Sequence, residues 1–202
     1  MTLDRPQNRD ATRPEQRVAR IDDDYFDIVK NLGAQIVNPG GLVNFQKKDS
    51  SGVFVPAGTY GGAKLSGTKQ MLSCAPGVEF TKQVIVTGSV MIRNAFFVCN
   101  QNTPAIVVKS GGSILLIDCV VSKGDGQQVA ATDRYITIEA GGYGTFSSCG
   151  FFGNQATVGT IITNEDAANP NRVAVRACMN HTAIVAATRY TNVGSVQDVA
   201  IP

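Results

Sequence analysis

The chain has 202 residues, 43% of them apolar and none of them Trp, which is enough to bury the core of one sizeable domain. Eighteen Lys and Arg against 16 Asp and Glu leave a formal charge of +2, too even a balance for nucleic acid to be the expected ligand, and no stretch reaches the ~18 apolar residues of a membrane span. The opening MTLDRPQNRDATRPEQ is polar where a secretory signal carries an apolar run, so synthesis in a cytoplasm without an anchor is expected.

Residues 1–20 hold Arg5, Arg9, Arg13, Arg17 and Arg20 among acids, two prolines and almost no apolar side chains. Such a segment cannot support a core and reads as an arm, solvated or docked on a partner. Pro6 and Pro14 argue against a continuous helix there, although the four-residue spacing of the first four arginines would align them on one. In IDDDYFDIVKNLG, Asp22 to Asp24 can cap a helix whose Tyr25, Ile28, Val29 and Leu32 recur at helical spacing before Gly33. The five arginines with Tyr25 and Phe26 form the predicted partner-binding set. At NPGG, residues 38–41, the text changes to short runs of Val, Ile, Phe and Thr punctuated by Gly, Asn and Pro. The predicted division is therefore an arm with one short helix over 1–40 and a strand-rich domain over 41–202.

Within that domain GSVMIRNAFFVCN (88–100), GSILLIDCVVSKG (112–124), GYGTFSSCGFFGN (142–154) and NRVAVRACMNHT (171–182) superpose by position. Matching them puts Ala95, Cys119, Cys149 and Cys178 in one column, Asn94, Asp118, Ser148 and Ala177 in the column before it, and Ile92, Leu116, Phe146 and Val175 in another. A second strand precedes each: VIVT, AIVVKS, YITIEA and TIITNE, the last three joined onward by Gly-Gly, Gly-Gly and an Asn-Pro loop. Spacings of 24, 30 and 29 residues between equivalent short strands are what a parallel β-helix requires, since one coil cannot bury its inward face alone. The irregular period leaves a β-sandwich as the alternative. The fold class expected is all-β, a short right-handed parallel β-helix with an N-terminal arm and one short helix.

The column also weighs against chemistry. Cys119 reads as a ladder residue, and the five cysteines, with no C-x-x-C pair, as small buried side chains. Asp118 has Asn94 and Ser148 as column neighbours, so no second carboxylate stands beside it for acid–base work on a sugar. Glu139 and Glu165, at the ends of successive second strands, are the best alternative pair of acids, but with Lys109 at the matching place one coil earlier they read as a surface charge ladder. His181 is the lone histidine in a bare C-x-x-H; GAKLSGTK has Gly-Thr-Lys where a phosphate-binding loop needs Gly-Lys-Ser/Thr; Asp22 to Asp24 read as cap and solvated charge. No catalytic, cofactor-binding or metal-binding residue is assigned, and an enzyme is not expected.

The coils GSILLIDCVVSKGDG and GGYGTFSSCGFFGN resemble the pectin-lyase-like β-helices of bacteriophage tailspikes in a much shortened form, over roughly residues 45–185. The resemblance implies a homotrimer of about four to six coils, and tailspike-like trimers also serve some tailed phages as capsid decoration, or cement, proteins. It thus implies a virion protein on the capsid surface, a major capsid protein as partner, and no cofactor, nucleic acid or membrane. The alternative it implies is a tailspike or tail protein that binds or cleaves host polysaccharide.

Overall fold

The structure, a computed structural model, describes residues 42–45, 52–99, 103–123, 134–152, 160–181 and 189–201. The arginine arm, Tyr25, Phe26 and the segment expected to be helical lie outside the described residues.

Among the described residues seventeen strands follow one another: β1 (Leu42–Phe45), β2 (Gly52–Val55), β3 (Gly58–Tyr60), β4 (Gly62–Leu65), β5 (Gln70–Phe80), β6 (Val84–Val86), β7 (Ser89–Cys99), β8 (Ile106–Val108), β9 (Ser113–Ile117), β10 (Val120–Lys123), β11 (Arg134–Ile138), β12 (Tyr143–Ser147), β13 (Gly150–Phe152), β14 (Thr160–Asn164), β15 (Val173–His181), β16 (Tyr190–Thr191) and β17 (Ser195–Ile201). One turn of 3-10 helix at Pro170–Arg172 is the sole helical element among the described residues. No helix there is long and apolar enough to cross a membrane.

The chain alternates between two sheets. β1, β4, β6, β8, β11, β14 and β16 form a seven-stranded sheet in that order, and the other ten strands form the second. Every pairing is parallel: Ile106 faces Ile136 and Ile136 faces Ile162 in the smaller sheet, while Ile92 faces Leu116, Leu116 faces Phe146 and Phe146 faces Val175 in the larger. The fold is thus all-β, nearly all parallel sheet and β-helix-like, and the aligned column is a line of hydrogen-bonded neighbours. Among the described residues the smaller sheet extends to β1 and β16, whose sequences carry no visible repeat.

The core lies between the sheets. Leu72, Ile92, Leu116, Phe146 and Val175 from the larger sheet, and Leu65, Val86, Val108, Ile138 and Ile162 from the smaller, are all fully buried. Stacking identical positions lets each side chain cover the one below, which is how strands too short to fold alone share one core. Tyr60, Phe80 and Phe97 extend the stack at one end, with ring centroids 5.6 and 5.3 Å apart.

The corners have local causes. Lys109–Gly112 and Glu139–Gly142 are turns closed by amide bonds of 2.8 Å from Gly112 and Gly142 to the carbonyls of Lys109 and Glu139. Gly111 and Gly141, at φ 77° and 88°, occupy the third position, where a type II turn needs positive φ. The third such corner is longer: Asn164, fully buried, donates to the carbonyls of Asn192 (2.9 Å) and Asn169 (3.3 Å) and accepts from the Asp166 amide (3.0 Å). Asn192 returns a 3.0 Å bond to the Asn164 carbonyl and pins the last two passes together.

Candidate interaction faces

The larger sheet bends in four successive passes, and the bend falls on the column of Asn94, Asp118, Ser148 and Ala177. All four sit at positive φ, from 49° to 58°. Their left-handed backbone turns the strand and aims their side chains outward, and all four are exposed. The amides of Asp118 and Ser148 donate to the carbonyls of Ser147 (3.2 Å) and Arg176 (3.0 Å), so the ladder runs through the bend. Asp118 is therefore a corner residue, which explains why Asn and Ser stand at its equivalents: short polar side chains tolerate this backbone best.

The residue after each bend turns inward. Ala95, Cys119, Cys149 and Cys178 are buried and the three thiols are free. Each thiol donates to the carbonyl two residues earlier: Cys119 to Ile117 (3.3 Å), Cys149 to Ser147 (3.3 Å) and Cys178 to Arg176 (3.4 Å). Burial pushes Cys119 up to about 11 and Cys74 up to about 12. Cys149 is raised as well, first by its hydrogen bond with Cys178 and then by burial. Cys74, Cys119 and Cys149 are therefore poor nucleophiles at neutral pH. Cys178 points inward and is fully buried. Among the described residues no group of three or more metal-ligating side chains gathers.

The acids of the smaller sheet are engaged in pairs of opposite charge. Lys109 meets Glu139 one pass on, and Arg134 meets Glu165 at 3.4 Å, all partly exposed. Asp166 takes the Asn169 amide and the Arg172 guanidinium (2.8 Å), and Asn169 first, then Arg172, hold its carboxyl below the usual range. Arg172 also lies over the Tyr143 ring, 5.1 Å from its centroid. At the other end of the cysteine column Asp198 follows Cys178 in register and accepts from Asn180 (2.5 Å) and Tyr190 (3.0 Å). Burial, then the Asp198 charge, push the Tyr190 phenol up.

The outward side chains form two faces that meet at the bend. On the first, Met71, Met91, Leu115 and Thr145 pair in one column, and Ser73, Arg93, Ile117, Ser147 and Arg176 in the next. An open groove of about 820 Å³ runs across them, bounded by Lys69 and Arg176. On the second face Glu79, Phe96, Val120, Gly150, Met179 and Val199 pair in a single line. Phe96, Met179 and Val199 are 37%, 46% and 61% exposed there. A shallower groove of about 620 Å³ runs beside Phe96 and takes in both Glu79 and Asp118.

No family model, curated protein or solved structure matches this chain.

Sequence reasoning missed both outward stripes and the role of Glu79. The signal was present in runs such as AFFV and ILLI, where apolar residues occupy consecutive places instead of alternating, as happens when both faces of a strand are covered.

Proposed function

We propose that this chain is a structural virion protein: a short right-handed parallel β-helix that forms a homotrimer and decorates a phage capsid by binding its major capsid protein. Strand–crossover–strand connections in parallel sheets are right-handed in nearly all proteins, which supports that hand. The observation that carries the reading is the pair of outward apolar stripes on the larger sheet, since soluble monomers rarely display continuous apolar patches of this kind. Stacked columns supply a rigid body suited to bracing a shell, and the tailspike resemblance supplies the virion setting. In this reading the chemistry is association and needs no cofactor. The arginines at 5, 9, 13, 17 and 20, with Tyr25 and Phe26, make the capsid contacts. Guanidinium groups form bidentate bonds to carboxylates, and three arms per trimer multiply a weak contact.

The test is deletion of residues 1–20 and measurement of occupancy on capsids stripped of this protein. The expected outcome is a folded, soluble core with occupancy reduced at least tenfold, and full-length binding that weakens as salt rises, because exposed pairs are screened over about 10 Å. Normal occupancy of the truncated form overturns the assignment of the arm.

One observation favours the second reading, a tail protein that binds or cleaves host polysaccharide: Glu79 and Asp118 border one groove beside an exposed aromatic ring. They stand two passes apart, on the order of 10 Å at ~4.8 Å per strand, at the upper limit of the separation that inverting hydrolysis uses. Polysaccharide turnover abolished by Glu79→Gln or Asp118→Asn would replace the structural reading with this one.

A further inference from the structure

A cyclic trimer imposes one requirement on its protomer: the surface offered to the next copy differs from the surface offered to the previous one. The larger sheet carries two such surfaces, separated by the bend. The first is the groove over Met71, Met91 and Leu115. The second is the line from Phe96 through Val120 to Met179. Because they share only an edge and face different ways, both can be covered at once only by different copies.

Charge tells them apart. Lys69, Arg93 and Arg176 flank the first surface, and none of the three has an ion-pair partner among the described residues. Glu79 and Asp118 flank the second. Contact of either surface with its own copy would bring like charges together, which is costly at an interface, whereas contact of one with the other brings opposite charges together. Shape chemistry agrees, since the exposed Phe96 ring meets a groove floored by two methionines, and thioether sulfur packs favourably against aromatic edges.

We propose that the occupant of the Met71–Met91–Leu115 groove is the Phe96–Val120–Met179 stripe of a second copy of this chain, so that the trimer is a head-to-tail ring. The inference rests on the trimeric reading above and adds to it which surfaces meet. It makes no use of the capsid.

The experiment is light scattering on Met91→Glu, which spoils the first surface, on Phe96→Glu, which spoils the second, and on their mixture. The wild type is expected at about three times 21.3 kDa and each variant alone at 21.3 kDa. The mixture is expected at twice that mass, because the intact second surface of Met91→Glu fits the intact first surface of Phe96→Glu and the chain can then go no further. Circular dichroism checks that each variant is folded. If either is not, Arg93→Glu and Glu79→Lys replace them: each alone is expected to weaken association at least tenfold, and the two combined in one chain to restore it. A trimeric wild type whose variants stay trimeric, or whose mixture stays monomeric or returns to trimers, overturns the surface assignment and leaves the trimer standing. A monomeric wild type overturns the trimer itself.

Discussion

Asn94, Asp118, Ser148 and Ala177 occupy the same left-handed corner, at φ 58°, 53°, 53° and 49°. Only Ala177 lacks a side chain suited to it. Left-handed backbone costs an L-residue roughly 1 kcal/mol, and Asn lowers that cost by hydrogen-bonding locally. Ala177 is exposed, so a larger polar side chain meets no packing there. Ala177→Asn is therefore expected to stabilise the protein by about 0.5–1 kcal/mol and Asn94→Ala to destabilise it by a similar amount, read as opposite shifts of the urea midpoint. A destabilising Ala177→Asn would mean that corner backbone is not what selects these residues. The same geometry keeps Asp118 out of the core: it is outside because the chain turns there.

Three passes of the larger sheet place a buried thiol just inside the bend, at Cys119, Cys149 and Cys178, and buried thiols respond to alkali. The folded pKa values of Cys74 and Cys119 lie above the ordinary 9.0, at about 12 and about 11, chiefly because burial disfavours the thiolate. Between pH 9 and those values the unfolded chain has lost protons that the folded chain retains, so stability falls as pH rises. The contribution is complete below pH 9 and fades through about pH 11 to 12. In a Cys99→Ser background the remaining four cysteines are expected to resist a thiol reagent at pH 8 until denaturant is added, and the unfolding midpoint to drop above pH 9. Rapid labelling of more than one thiol in the folded protein would contradict the inward column.

The whole stack is covered unevenly. Leu72, Ile92, Leu116, Phe146 and Val175 are sealed by neighbours above and below, whereas Val196, next in the same line, is 40% exposed. Among the described residues β17 pairs only with β15, and its Val199 is 61% exposed. Asp198 takes the inward place after Cys178 and closes that column with hydrogen bonds where an apolar residue would be left uncovered. Repeat proteins open from such ends. Hydrogen exchange is accordingly expected to be slowest in β7, β9 and β12 and at least tenfold faster in β17. Uniform protection along the stack would indicate that the β17 end is covered by something else, such as another copy.

Much of the stack was legible in the sequence because parallel pairing repeats its side-chain environment at every pass. A core place such as Ile92, Leu116, Phe146 and Val175 stays apolar, and a corner place such as Asn94, Asp118 and Ser148 stays short and polar, so aligned text returns the register without any knowledge of distance. The Gly-Gly corners were legible for the same reason, since only Gly fits the third place of a type II turn without strain. The two outward faces were decided only by the tertiary structure. An outward place is free to change from Met to Leu to Thr between passes, so it leaves no repeated signature, and Glu79 and Asp118 share a groove only because the sheet bends between their columns. Which side chains converge depends on that bend and on the stacking of strands some 20–30 residues apart, and neither is written in the local spacing of residues.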